Sequence, residues 1–542
     1  MTDAIVFVNG AFAVQDDDAK TDTLPKLSMV VEGSKITHIG HSNDQIILEK
    51  KSAAARIVDL DNRLVIPGFI DSHTHILFFG LSLSKPDLSF CTSLNEIRHE
   101  ITKYASSYPE LSRIVCKGWH QPATGGKALA SMIDDLDPRP IFIEALDLHS
   151  TWCNTAALNE LPLGKFQHML AKDIECDAHG KPSGLLAEAA QVGIIWPHLN
   201  MIAKTEEKQK AIKDAVSHYT ESGYTGVIDM AMDSNAWEAL AYYRERNDLP
   251  LHIAAHWLIP YEEDTEAVLR HIDEAISMHQ RWHPRLSPEF CVVGIKLILD
   301  GVIDGCTAAL SYPYGTNPSV VEPIWPTNTL ELAIKKSAEA GLQIAIHALG
   351  DVAISRSITA LSHVQGLSPG RHRIEHLELA TEEDAKRLGD LGITASIQPV
   401  HSDPALLELH AKLLRPESLG RLFPYRDFID ANANVALGTD APTACHHALS
   451  NLYHATTRRS IKTPSEHEPF NPKFALTLAQ ATAAATQGAA YSRFAEKWVG
   501  ELKAGYQADF VVMDGSWTPD SLLDVKVMET WSRGRKVYDS AQ

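Results

Sequence analysis

No apolar run in the 542 residues approaches the ~18–20 that a bilayer crossing needs, so no transmembrane helix is expected. Cys-x-x-Cys pairs are missing too. The seven cysteines, at 91, 116, 153, 176, 291, 306 and 445, are scattered and odd in number, which argues against a disulfide framework and for a reducing compartment. Positive charge is in deficit: 49 basic against 69 acidic side chains leave a formal charge of −20. Such a surface repels phosphate backbones, so nucleic acid is not an expected partner. The first residues carry Asp3 and no basic stretch, so no secretory leader is read and cytoplasm is the expected location. Internal repeats and low-complexity segments are absent, and Asp16-Asp17-Asp18 reads as a solvated loop.

What is present is an ordinary globular composition, 44% hydrophobic and 22% charged. The first 60 residues hold short strand-like segments separated by turn residues: Ala4–Asn9, Leu27–Val31, Lys35–Gly40 and Arg56–Leu60. The same texture returns at Ala508–Met513, Lys526–Thr530 and Lys536–Tyr538. Residues 1–65 and 498–542 are therefore expected to build one composite β-sandwich, with residues 66–497 inserted between them.

Inside that span apolar strands alternate with amphipathic helical stretches, the mark of a parallel α/β sheet. Eight segments qualify as core strands: Leu64–Ile70, Gly226–Met230, Leu251–Trp257, Val292–Leu299, Leu342–Ile346, Arg373–Glu375, Thr394–Ile397 and Asn434–Leu437. The expected fold is α/β, a (β/α)8 TIM barrel with its site at the C-terminal strand ends. About 155 residues separate the first two strands, far more than a βα connection needs. Residues 80–205 are read as an insertion subdomain over the barrel mouth.

The strand ends carry the chemistry. The first apolar run ends in His73-Thr74-His75, and residues two apart on a strand share a face. Neutral imidazole is a common metal ligand. Among 26 histidines one His-x-His pair means little; its partners give it weight. Lys296 sits mid-strand in an apolar run, where an amine is costly unless paired or neutralised. It either pairs with Asp300 or Asp304, or it has reacted with carbon dioxide to give an anionic carbamate able to bridge two cations. The fifth strand ends in His347, the sixth in His376, the eighth in Gly438-Thr439-Asp440. Nitrogen and oxygen donors of this kind suit zinc, with manganese, iron or cobalt as alternatives.

Taken together these motifs resemble the amidohydrolase superfamily, in its amidohydrolase-3 branch with the N-substituted formamide deformylases. The resemblance runs through Pro67-Gly68-Phe69-Ile70-Asp71-Ser72-His73-Thr74-His75, Gly118-Trp119, His149-Ser150 and Gly184-Leu185-Leu186-Ala187-Glu188-Ala189-Ala190. It continues through Lys296 with Asp300-Gly301, Ile346-His347-Ala348, Arg373-Ile374-Glu375-His376, Gln398-Pro399, Gly438-Thr439-Asp440-Ala441-Pro442 and Ala508-Asp509.

The resemblance implies a metal-dependent hydrolase of a non-peptide C–N bond, an N-substituted amide or formamide. His73 and His75 would bind one ion and His347 and His376 a second. A carboxylated Lys296 would bridge them, and Asp440 would contact the first ion and shuttle the proton. Two divalent ions, zinc foremost, are expected, with one ion as the alternative. Trp119, His149, Asp300 and His401 are candidate substrate contacts; for Trp119 and His149, packing within the insertion competes. Glu375 and Asp351 are candidates for orienting the ligand histidines. His446-His447 are read as surface residues. The expected partner is a small-molecule substrate, with homodimer formation left open. Ester or cyclic-amide hydrolysis and decarboxylation remain alternatives on the same barrel, as does a non-catalytic scaffold, because barrels host many chemistries.

Overall fold

The apolar run that begins at Leu64 serves two sheets. Sequence pattern predicts one strand over Leu64–Ile70, but in the computed structural model it divides at Gly68. Leu64–Pro67 pairs antiparallel with Phe510–Asp514 and parallel with Ala4–Phe12. Phe69–Thr74 then opens the barrel. Gly68 makes the division: its N–H donates to the Asp509 carbonyl at 2.9 Å, and a Cβ there would lie 2.3 Å from the Thr225 hydroxyl. The structure describes residues 4–13, 24–53, 56–146, 149–165, 173–187, 190–315, 319–364, 366, 370–407, 410–466 and 468–541. Asp3, Asp16-Asp17-Asp18, Leu148, Glu188 and Ala189 lie outside them.

Strands from both ends of the chain join one sheet of eight. Its order is Arg535–Asp539, Lys526–Ser532, Phe510–Asp514, Leu64–Pro67, Ala4–Phe12, Lys26–Glu32 and Lys35–Gly40, with Arg56–Asp59 also on Ala4–Phe12. Aromatic rings fill its core. Trp531 stacks on Phe510 at 5.6 Å and meets Phe7 edge-on at 4.9 Å.

The second sheet is the barrel. Its strands are β1 (Phe69–Thr74), β2 (Tyr224–Met232), β3 (His252–Leu258), β4 (Phe290–Ile298), β5 (Gln343–Ala348), β6 (Arg373–His376), β7 (Thr394–Ile397) and β8 (Val435–Leu437). All neighbours are parallel and follow chain order. The strands are apolar nearly throughout because helices cover them, which is what a parallel sheet requires. Past the strand ends β8 closes onto β1. The His73 carbonyl accepts N–H bonds from Thr439 at 3.2 Å and Asp440 at 2.7 Å, and His75 N–H donates to Ala441 O at 3.0 Å.

The chain divides into two compact units, Met1–Ile76 with Ala215–Asp233 and Arg244–Gln542, and Leu77–Asp214 with Ser234–Tyr243. The second has its own sheet of five strands, Ile174–Cys176, Pro182–Ala187, Ser150–Cys153, Ile141–Ala145 and Ile114–Trp119 in order. No helix among the described residues is long and apolar enough to cross a membrane.

Trp531→Ala removes the ring that ties the C-terminal strands to Phe7. It is expected to cost about 3–5 kcal/mol in chemical denaturation, the usual cost of emptying a buried aromatic site.

Candidate metal centre

β1 ends with His73 and His75 facing one space, their rings 5.6 Å apart. Asp440, just past β8, brings its Oδ1 to 3.0 Å from His75 Nε2 and 3.4 Å from His73 Nε2. His376, at the end of β6, lies 4.9 Å from the His73 ring and 4.5 Å from His347 on β5. One ligand atom each from His73, His376 and Asp440 fall within 4.8 Å of one another. No helix begins at Asp440; the next one starts at Ala448, so a capping role for its carboxylate does not arise.

The backbone bends sharply to make this arrangement. His376 has φ 74° and Asp440 φ 59°, both left-handed. Such conformations cost about 1–3 kcal/mol and persist only where surroundings enforce them. At Asp440 the enforcement is visible: its N–H is held by the His73 carbonyl. Close approach of β8 to β1 also requires Gly438, where a Cβ would sit 2.5 Å from both Cβ and N of His73.

Electrostatics divide the donors into classes. Burial opposes charge on His73 and so does Lys296, but the carboxylates of Asp440 and Glu375 outweigh both and raise its pKa. Burial would raise the Asp440 carboxyl, yet His73 and His75 hold it well below the usual carboxylate range. Burial, then His347 and His73, keep His376 well below the ordinary imidazole value and so neutral, the form that can donate to a metal. Lys296 is 3% exposed. Its Nζ is buried with no hydrogen-bond partner. Burial pulls its pKa down to about 8. An orphaned, readily neutral amine beside imidazoles and a carboxylate is compatible with a divalent metal centre. The residues present fit the metal that the donor set implies.

Two carboxylates hold the donors in place. Glu375 accepts the His73 Nδ1–H at 2.6 Å and is itself gripped by Arg373 at 2.6 Å. Asp71 accepts the Thr439 hydroxyl at 2.6 Å and the His73 N–H at 3.1 Å, tying β1 to the turn before Asp440. Sequence reasoning proposed Glu375 but passed over Arg373 and Asp71. The signal for Arg373 was available: Arg373-x-Glu375 puts two charges on one face of a strand. Asp351 does not orient a histidine; it accepts the Ser311 N–H at 2.9 Å.

The other expected contacts fare differently. His401 stands beside the centre, its ring parallel to His376 at 5.9 Å and its Nε2 3.8 Å from Asp440 Oδ2. Asp300 does not extend the inward face of β4, because the strand ends at Ile298. Its buried carboxylate accepts the N–H groups of Ala309, Leu349 and Gly350 at 2.9, 3.1 and 2.9 Å, and its Oδ1 lies 3.8 Å from His347 Nε2. Trp119 is 1% exposed in the core of the second unit, 5.4 Å from Trp152. His149, half-buried, immediately precedes Ser150–Cys153 of that unit. His446 is not a surface residue: it is 8% exposed, with His218 at 5.6 Å and Tyr219 at 5.8 Å.

A family model described as the amidohydrolase family matches residues 56–538. The chain belongs to that family. This amidohydrolase is 27% identical over 495 residues to the protein LONG AFTER FAR-RED 3 of Arabidopsis thaliana, covering 89% of this chain and 83% of that one. It is 23% identical over 545 residues to the N-substituted formamide deformylase of Arthrobacter pascens, covering 94% and 95%. The crystal structure of an uncharacterized metal-dependent hydrolase from Pyrococcus horikoshii OT3 matches with a TM-score of 0.77 at 22% identity, covering 95% of this chain and 98% of that one. At that identity the likeness speaks to the fold. Family and donor set together make the chain a metal-dependent hydrolase.

Gly438→Ala should force β8 away from β1, at about 1–3 kcal/mol for an overpacked site. The expected outcome is a folded protein that loses metal to a chelator more readily than the wild type, measured by metal analysis after dialysis.

Proposed function

We propose that this chain hydrolyses a non-peptide C–N bond of a small molecule, an N-substituted amide or formamide. The observation that carries the reading is the convergence of His73, His376 and Asp440 within ligand distance, with Lys296 and His347 beside them. The choice of C–N bond rests on the formamide deformylase relative, matched over 94% of this chain.

His73, His75 and Asp440 would hold one zinc ion and His347 and His376 a second. The Lys296 amine, neutral once its proton is lost, adds to carbon dioxide and releases one proton. The resulting carbamate would offer the metal an anionic oxygen ligand from Lys296. When bound, the metal supplies an acidified water and polarises the scissile carbonyl.

The chain's own groups manage the proton. Asp440 is ionised in its buried position, because His73 and His75 outweigh burial. It can accept a proton from the attacking water and return it to the departing nitrogen, as base and then acid. His401 lies 3.8 Å from Oδ2 of that carboxylate, with Thr443 Oγ1 at 3.3 Å from its Nε2, and is the proposed substrate contact.

Zinc-loaded protein assayed against N-substituted formamides, amides and esters tests the substrate class. Turnover of amides or formamides with release of the amine is expected, and turnover confined to esters would overturn the assignment. Asp440→Asn should stay folded and lose roughly 10²–10⁴-fold in kcat, the usual share of general acid–base catalysis. Near-normal turnover in that variant would remove Asp440 from the mechanism. Lys296→Ala should lose metal and activity together, with partial return of both in short-chain carboxylic acids. Carbon-13 NMR of the wild type in labelled bicarbonate should show a carbamate signal that Lys296→Ala lacks.

A further inference from the structure

We infer that Arg373 is a positioning residue that selects the tautomer of His73, acting on the ring through Glu375 and on the backbone through Ser72. The inference rests on the proposed function in one respect: it takes His73 Nε2 as a metal donor.

Arg373 lies on β6 and is fully buried. Its guanidinium grips Glu375 with Nε at 2.6 Å from Oε1 and Nη2 at 3.1 Å from Oε2. The same Oε2 accepts the His73 Nδ1–H at 2.6 Å. Nη2 also donates to the carbonyl of Ser72, the residue before His73, at 2.7 Å. One guanidinium thus reaches His73 from two directions, at its ring and at its peptide bond. The remaining contacts fix the guanidinium itself: Ser396 Oγ on β7 at 2.6 Å and Ser492 Oγ at 3.1 Å. β1 and β6 are not neighbours in the sheet, so these bonds cross the barrel interior.

A competitor is built into the site. The Gln398 side-chain nitrogen lies 3.3 Å from His73 Nδ1. If Gln398 donated there, the ring proton would sit on Nε2 and cover the lone pair that faces Asp440. A carboxylate clamped by a bidentate arginine is the stronger partner, and it demands the proton on Nδ1. Arg373 therefore settles which partner Nδ1 of His73 obeys, and leaves Nε2 to face Asp440 and an incoming metal. A guanidinium that only neutralised Glu375 would have no need of the Ser72 carbonyl.

The test uses full-length protein labelled with nitrogen-15 in histidine. In the metal-free wild type, a low-field Nδ1–H signal from His73 is expected, assigned by its loss in His73→Asn. Arg373→Met should lose that signal or move its population to Nε2–H. Its zinc affinity should fall roughly 10–100-fold, as for other groups that orient a ligand histidine. Glu375→Gln should behave alike, and the loss in the double variant should fall short of the sum of the two single losses, because one of the two routes from Arg373 runs through Glu375. A folded Arg373→Met with the wild-type Nδ1–H signal and wild-type zinc affinity would overturn the proposal, and so would additive losses in the double variant. Should Arg373→Met not fold, Arg373→Lys, which keeps the charge without the fork, is read by the same two measurements; wild-type values there overturn it as well. A wild type that binds no zinc refutes the functional reading instead, and the metal-free spectra still decide the role of Arg373.

Discussion

The hydrogen bond from Asp440 N–H to the His73 carbonyl, 2.7 Å long, is the constraint on which the centre depends. It belongs to the seam that closes the barrel, and its two ends carry two of the donors. Closing the sheet and assembling the site are therefore one event. The seam also accounts for Gly438, which no larger residue can replace without pushing on His73. It accounts for the left-handed turn at Asp440 as well, whose cost is offset by the bond it permits. Asp71 reinforces the seam from below by holding Thr439 and the His73 N–H on one carboxylate.

Much of this was legible in the chain because an apolar strand makes an interruption conspicuous. His73, Lys296, His347, His376 and Asp440 are polar residues in or just beyond runs that have no structural need of them. The period of two in a strand told which of them share a face. The two-ended sheet was legible for a similar reason, since short alternating segments recur at both termini. Strand positions were recovered closely: Thr394–Ile397 coincides with β7, and β5 runs from Gln343 to Ala348, two residues past the expected Leu342–Ile346.

What stayed hidden depends on contacts distant in sequence. Nothing local says that Gly68 divides one apolar run between two sheets, because the reason is Thr225 and Asp509. The protein contacts of Trp119 and Asp300 were not legible either, since an aromatic residue or a carboxylate reads the same in sequence whatever it meets. Trp119 packs against Trp152, and Asp300 accepts three backbone amides while its Oδ1 lies 3.8 Å from His347 Nε2. His446 reads as polar in sequence and is buried in structure because Tyr219 and His218 arrive beside it. Burial of a single polar residue is decided by tertiary neighbours, and composition carries no trace of them.

The barrel interior spends stability on the site. TIM barrels commonly fill their centre with branched apolar side chains. Here charged and amide groups cross it instead: Arg373 to Ser72 and Ser396, Glu375 to His73, and His256 to Gln343 at 2.8 Å. Burial, then the nearby Arg373, push His256 down to about 3, so it stays neutral and adds no charge to the layer. A buried ion pair such as Arg373–Glu375 is seldom worth more than the apolar groups that could replace it. Its value here is geometric. Apolar side chains can fill that space, but they cannot dictate which nitrogen of His73 carries a proton, and a metal ligand is defined by that choice. The polar layer trades packing energy for a fixed donor direction at His73.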